Sequence, residues 1–121
     1  MIVGLDHIQI ALPAGSETIM RAFYCDLLRL DACPKPTALQ GRGGFWAQGP
    51  GIDVHFGVDP DFQPARKAHP AFIVKDIHAL HSLLTARGHT PKWDTSLPDV
   101  TRFFVNDPVQ NRIEILKEDP S

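Results

Sequence analysis

Apolar and polar residues alternate with a period of two through Gly4-Leu5-Asp6-His7-Ile8-Gln9-Ile10-Ala11-Leu12. This predicts a strand with Leu5, His7, Gln9 and Ala11 on one face and Asp6, Ile8, Ile10 and Leu12 on the other. One face is apolar; the second carries an imidazole and an amide but no charge, as in a strand that looks into a cavity. After Pro13-Ala14-Gly15 the period lengthens, and Ile19, Phe23, Leu27 and Leu30 fall on one helical stripe. A helix from about Ser16, acting as its N-cap, to about Leu28 is predicted. Pro34 and Pro36 end that element. Phe45-Trp46-Ala47 is a short β-prone run, Gln48-Gly49-Pro50-Gly51 a turn, and Ile52 to Val58 alternates with Asp53, His55 and Gly57 on one face. With a weakly marked strand over Pro36 to Leu39, the first half reads β-α-β-β-β.

The same order returns. Ala68-His69-Pro70-Ala71-Phe72-Ile73-Val74 again places a histidine near the start of a strand, and Asp76 caps a helix whose stripe is Ile77, Leu80, Leu83 and Leu84. Gly88 supplies the left-handed stop. Lys92-Trp93, Thr101 to Val105 and Arg112 to Leu116 then read as strands, the last two separated by the turn Asn106 to Asn111. His7 and His69 are 62 positions apart and the aromatic pairs Phe45-Trp46 and Phe103-Phe104 are 58 apart. The chain is therefore read as a duplicated βαβββ unit: module one over 1–58, a Pro-rich linker over 59–67 and module two over 68–117, in a single domain.

Composition narrows the function classes. At 121 residues with a formal charge of -2, the chain offers no basic surface for nucleic acid. It has no apolar run long enough to span a bilayer, and Met1-Ile2-Val3-Gly4 does not resemble a signal peptide. Cys25 and Cys33 form no Cys-x-x-Cys pair and are read as reduced thiols of a cytoplasmic protein.

The repeat also selects the chemistry. A lone histidine on a strand is ordinarily hydrogen-bonded or solvated, but His7 and His69 recur at matching positions. Glu114, between Ile113 and Ile115, is a carboxylate that is costly to bury without a cation or donors. Imidazole plus carboxylate from different strands is a ligand set for a divalent transition metal. A fourth group belongs at the first-half position that repeats Glu114. The aromatic offset selects His55, the preferred choice, whereas the Ile-acid-aliphatic triplet selects Asp53. Gln9, Trp46, Arg66, Lys67 and Arg102 are candidate substrate contacts, and Arg112 shares the ambiguity of Arg102. His78, His81 and His89 are read as solvated.

Leu5-Asp6-His7-Ile8-Gln9-Ile10, Arg21-Ala22-Phe23-Tyr24 with Leu27-Leu28, His69 to Val74 leading to Asp76, and Phe103 to Pro108 leading to Asn111-Arg112-Ile113-Glu114 together resemble the vicinal oxygen chelate superfamily. This is the glyoxalase, bleomycin-resistance and extradiol dioxygenase group, and the resemblance covers nearly the whole chain. It implies an α+β fold of two tandem modules forming curved, half-barrel mixed sheets. It also implies His7, His69 and Glu114 as metal ligands, a substrate that chelates through two adjacent oxygens, and a homodimer. The activity implied is that of a glyoxalase-like isomerase, lyase or thiol transferase using Zn, Ni, Mn, Co or Fe(II), with Glu114 or His55 moving a proton. A metal-free, ligand-sequestering protein of the bleomycin-resistance type and a dioxygenase are the alternatives. Glyoxalase I proper has Glu where this chain offers Asp53 or His55. The family turn after Asp107-Pro108 has Gly where Gln110 stands, which passes the left-handed position to Asn111.

Overall fold

A computed structural model describes residues 1–119. Its contacts cluster into two compact units, Met1–Pro64 and a second from Ala65 onward. In the first, β1 (Ile8–Leu12) is followed by α1 (Glu17–Arg21), which runs on as a π-helix over Ala22–Leu27. Then come β2 (Asp31–Cys33), a 3-10 helix (Thr37–Arg42), β3 (Phe45–Gly49) and β4 (Ile52–Val58). In the second unit β5 (Ala71–Val74) leads to α2 (Ile77–Ala86), β6 (Lys92–Asp94), β7 (Arg102–Asn106) and β8 (Arg112–Lys117). The sheets are ordered β1-β4-β3-β2 and β5-β8-β7-β6. In each, the first strand lies parallel to the last and the other pairs are antiparallel. The tandem βαβββ fold expected from the repeat is thus what the chain forms. Among the described residues no helix is long and apolar enough to cross a membrane.

Alternation decides which face of each sheet is packed. Ile10, Leu12, Val54 and Phe56 are buried against Met20, Phe23, Tyr24 and Leu27 in the first unit; Phe103, Val105, Ile113 and Ile115 are buried with Ile77 and Leu84 in the second. Phe45 stacks on Phe56 with ring centroids 4.3 Å apart, and Tyr24 lies 4.7 Å from Phe56. The opposite faces are left to His55, Gly57 and Gln9 in one sheet and to Arg102, Phe104 and Glu114 in the other.

Several local expectations are corrected. The first strand begins at Ile8, not Gly4, because the parallel register with β4 starts at Ile8 and Val54. The first helix widens after Arg21, with the N–H of Leu28 donating to the carbonyl of Phe23 at 3.0 Å. The wider turn moves the buried stripe to Met20, Phe23, Tyr24 and Leu27 and leaves Ile19 50% exposed. Ser16 gives no side-chain cap; its hydroxyl donates to the carbonyl of Pro13 at 2.7 Å. The second strand lies at Asp31–Cys33, and Pro36 to Leu39 instead leads into the 3-10 helix. The β2 ladder ends at Cys33, next to Pro34, which has no N–H to give it. His81 is half-buried, stacked on Trp93 at 4.6 Å and 8°. The Asp76 cap holds, its carboxylate accepting from the N–H of Ala79 at 3.1 Å.

The turn between β7 and β8 is a knot of polar groups. Asp107 Oδ1 accepts from the N–H groups of Val109 at 2.9 Å and Asn111 at 3.0 Å, and Asn111 Nδ2 donates to Asp107 Oδ2 at 3.1 Å. Asn111 Oδ1 accepts from the N–H of Ala65 at 3.0 Å, which ties the approach to β5 onto the start of β8. Gln110, not Asn111, takes the left-handed conformation, with φ of 74°. The reason is that both Asn111 amide atoms are committed inside the knot. Gln110→Gly removes the Cβ penalty and is expected to raise stability by about 1 kcal/mol, read from urea unfolding midpoints. Asp107→Ala, which leaves its donors buried and unpaired, is expected to cost about 3 kcal/mol by the same measurement.

Candidate functional site

Glu114 stands in the middle of β8 on the face away from the core, yet it is only 7% exposed. It pairs in register with Phe104 on one side and Ala71 on the other. Burial requires partners, and each carboxylate oxygen has its own. Oε1 lies 2.9 Å from His69 Nε2, and Oε2 accepts from Arg102 Nη1 at 3.2 Å. His69 is held just before β5, where the Pro70 carbonyl accepts from the N–H of Glu114 at 3.0 Å. The His69 ring also meets Phe104 edge-on at 5.5 Å.

The tautomer of His69 follows from its second contact. Nδ1 lies 2.8 Å from the carbonyl oxygen of Lys67, an atom that only accepts, so Nδ1 carries the hydrogen. Nε2 then faces a carboxylate oxygen with a lone pair. Two acceptors at 2.9 Å require a cation between them, either a proton or a metal ion. Nitrogen and oxygen ligands about 2.1 Å from one metal, set at a right angle, lie about 3 Å apart. The pair therefore fits a divalent cation by donor chemistry and by spacing.

In the first unit His7, just before β1, has Nδ1 2.8 Å from Asp6 Oδ2, so its hydrogen is held there and Nε2 is left outward. The two strand-leading histidines are thus prepared alike. The His7 ring stacks on His55 with centroids 3.9 Å apart at 22°, and His55 stacks on Trp46 at 3.7 Å and 1°. Gln9 lays its amide across Gly57, where any side chain would collide with it.

Register identifies the counterpart of Glu114. Gln9 pairs with His55 and Trp46 pairs with His55, as Ala71 and Phe104 pair with Glu114. His55, not the exposed Asp53, therefore occupies the matching position. Desolvation, and next the neighbouring His7, lower the pKa of His55 below the ordinary imidazole value, so its ring is neutral near pH 7.

The candidates fall into two pairs, His7 with His55 and His69 with Glu114. Within either unit, among the described residues, no three His, Cys, Asp or Glu side chains come together. Arg66 and Lys67 are exposed in the segment before His69, and Lys67 takes part through its carbonyl. Arg102 is engaged by two carboxylates, Glu114 and Asp94, the latter at 2.8 Å. The N–H of Ser96 donates to Asp94 at 2.9 Å and is the first cause holding that carboxyl below the usual carboxylate range. Sequence reasoning missed Asp6 and Asp94. Asp6 adjoins His7, but strand parity assigned it to the opposite face, and parity does not apply ahead of Ile8.

A scan with family models and a search of curated proteins return no match. Solved structures do match. A glyoxalase family protein from Bacillus anthracis is 41% identical, with 98% of each chain covered and a TM-score of 0.92. The fosfomycin resistance protein FosX from Listeria monocytogenes, as a point mutant complexed with Mn(II) and 1S,2S-dihydroxypropylphosphonic acid, is 17% identical. That match covers 96% of this chain and 90% of the other with a TM-score of 0.76, a likeness of fold. An integron cassette protein from V. cholerae is 19% identical over 98% of each chain with a TM-score of 0.70.

The His55 environment has a consequence for stability. Its folded-state pKa lies below the unfolded value, so the folded chain binds fewer protons and stability rises with pH. Unfolding free energy is expected to fall as pH drops through about 6.5, and His55→Phe to remove that part of the dependence, as read by urea titration across the range.

Proposed function

Since the chain belongs to the glyoxalase family, within the vicinal oxygen chelate superfamily, we propose that it is a metal-dependent enzyme acting on a small molecule with two adjacent oxygens. The reaction class is isomerase, lyase or thiol transferase. The observation that carries this reading is the His69–Glu114 pair, whose fixed tautomer leaves a cation-sized requirement between two lone pairs. His7, with Asp6 on Nδ1, supplies the matching imidazole, and His55 completes the set at the register position that repeats Glu114. Each module carries one such pair, His7 with His55 within 1–58 and His69 with Glu114 within 68–117.

A bound divalent cation such as Zn, Ni, Mn, Co or Fe(II) supplies Lewis acidity toward oxygen. The chain's own groups do the rest. His55, neutral near pH 7, accepts a proton at its ring nitrogen and returns it, and Glu114 is the alternative proton carrier. Trp46 and Gln9 present an aromatic plane and an amide on the same sheet face as His55, fitting them to orient a substrate. Arg66 and Lys67 are positioned in sequence to attract an anionic group. The exposed Met1, Ile2, Val3 and Leu5 form an apolar arm that suits pairing with a second copy in a homodimer.

Elemental analysis of protein purified without an affinity tag tests this reading. Near-stoichiometric metal is expected, with His69→Ala and Glu114→Gln each weakening metal affinity by more than about 100-fold and abolishing turnover. Wild-type protein with no metal, and none taken up from Zn, Ni, Mn or Fe(II), would instead favour a ligand-sequestering protein of the bleomycin-resistance type.

A further inference from the structure

We propose that Arg102 is a positioning residue that confines Glu114 to one oxygen toward the cation, an inference that rests on the metal reading above. The two carboxylate oxygens have separate partners, Oε1 facing His69 Nε2 at 2.9 Å and Oε2 accepting from Arg102 Nη1 at 3.2 Å. The guanidinium is itself held in place. Nη2 donates to Asp94 Oδ2 at 2.8 Å and to Ser96 Oγ at 3.3 Å, and Cζ lies 5.2 Å from the centre of the Phe104 ring. The Arg102 side chain is 17% exposed, so water competes little for these bonds.

Turning Oε2 toward a cation requires Glu114 to break a charge-assisted hydrogen bond and leave a shielded guanidinium N–H unpaired. Oε1 pays no such cost, because its partner is the imidazole nitrogen that faces the same cation. A divalent transition metal has a limited number of coordination positions, and each carboxylate oxygen withheld leaves one for an outside ligand. A substrate binding through two adjacent oxygens needs two of them. Arg102 therefore governs how many positions remain open, through Glu114. Two carboxylates already face it, Asp94 at Nη2 and Glu114 at Nη1.

Mn(II) is the probe. Water-proton relaxation counts the exchangeable waters on Mn(II) bound to wild-type, Arg102→Gln and Asp94→Asn proteins. Arg102→Gln is expected to lower the count by about one, as Glu114 closes onto the metal with both oxygens. Asp94→Asn leaves the Arg102–Glu114 bond in place and is expected to keep the wild-type count. Equal counts in wild type and Arg102→Gln overturn the inference, and so does an equal fall in both variants. Should Arg102→Gln fail to fold by circular dichroism, the carboxylate stretching bands of the wild-type protein decide. A wide separation of the antisymmetric and symmetric bands on Mn(II) binding marks one-oxygen coordination; a narrow separation marks a chelating carboxylate and overturns the inference. Those failures leave the metal reading standing, whereas wild-type protein that takes up no Mn(II) overturns both together.

Discussion

A carboxylate buried in the middle of a strand is the constraint around which the second unit is arranged. Glu114 cannot lose its water without replacements, and the fold supplies an imidazole to one oxygen and a guanidinium to the other. Each replacement is fixed from behind, His69 by the Lys67 carbonyl and Arg102 by Asp94 and Ser96. The Asp107–Asn111 knot fixes the start of β8 and the approach to β5 together, so the histidine and the carboxylate are registered by backbone, not by side-chain flexibility.

The first unit solves a different problem on the same frame. No charge sits at the position equivalent to Glu114, and an aromatic stack of His7, His55 and Trp46 covers the sheet face there. Stacking suits rings that have given up hydration, and that loss is also what lowers the pKa of His55. The glycine at position 57 belongs to this arrangement, since the Gln9 amide occupies the space of its missing side chain.

Much of this was legible from residue order. Period-two alternation marks β4, β7 and β8, the two strand-leading histidines expose the duplication, and the repeat together with the aliphatic flanks of Glu114 points to His69 and Glu114. What escaped the pattern has physical reasons. Ile19 looks like core at a period of 3.6, but the π turn after Arg21 rotates Met20 and Tyr24 inward. Asp6 lies before the ladder begins, so alternation says nothing of its direction. The choice between Asp53 and His55 could not be made by parity because both share one face; only hydrogen-bonded register separates positions two apart. Arg102 and Asp94 meet across β6 and β7, a pairing that no local pattern encodes.

The equivalence of His55 and Glu114 also bears on symmetry. Two copies of one backbone lattice, paired strand for strand in the same order, would ordinarily give halves that are interchangeable. A neutral ring in one and a carboxylate in the other make them chemically distinct at this central position, while the backbone pairing around it stays the same. Direction in this protein is thus a property of side chains laid over a repeat that has none.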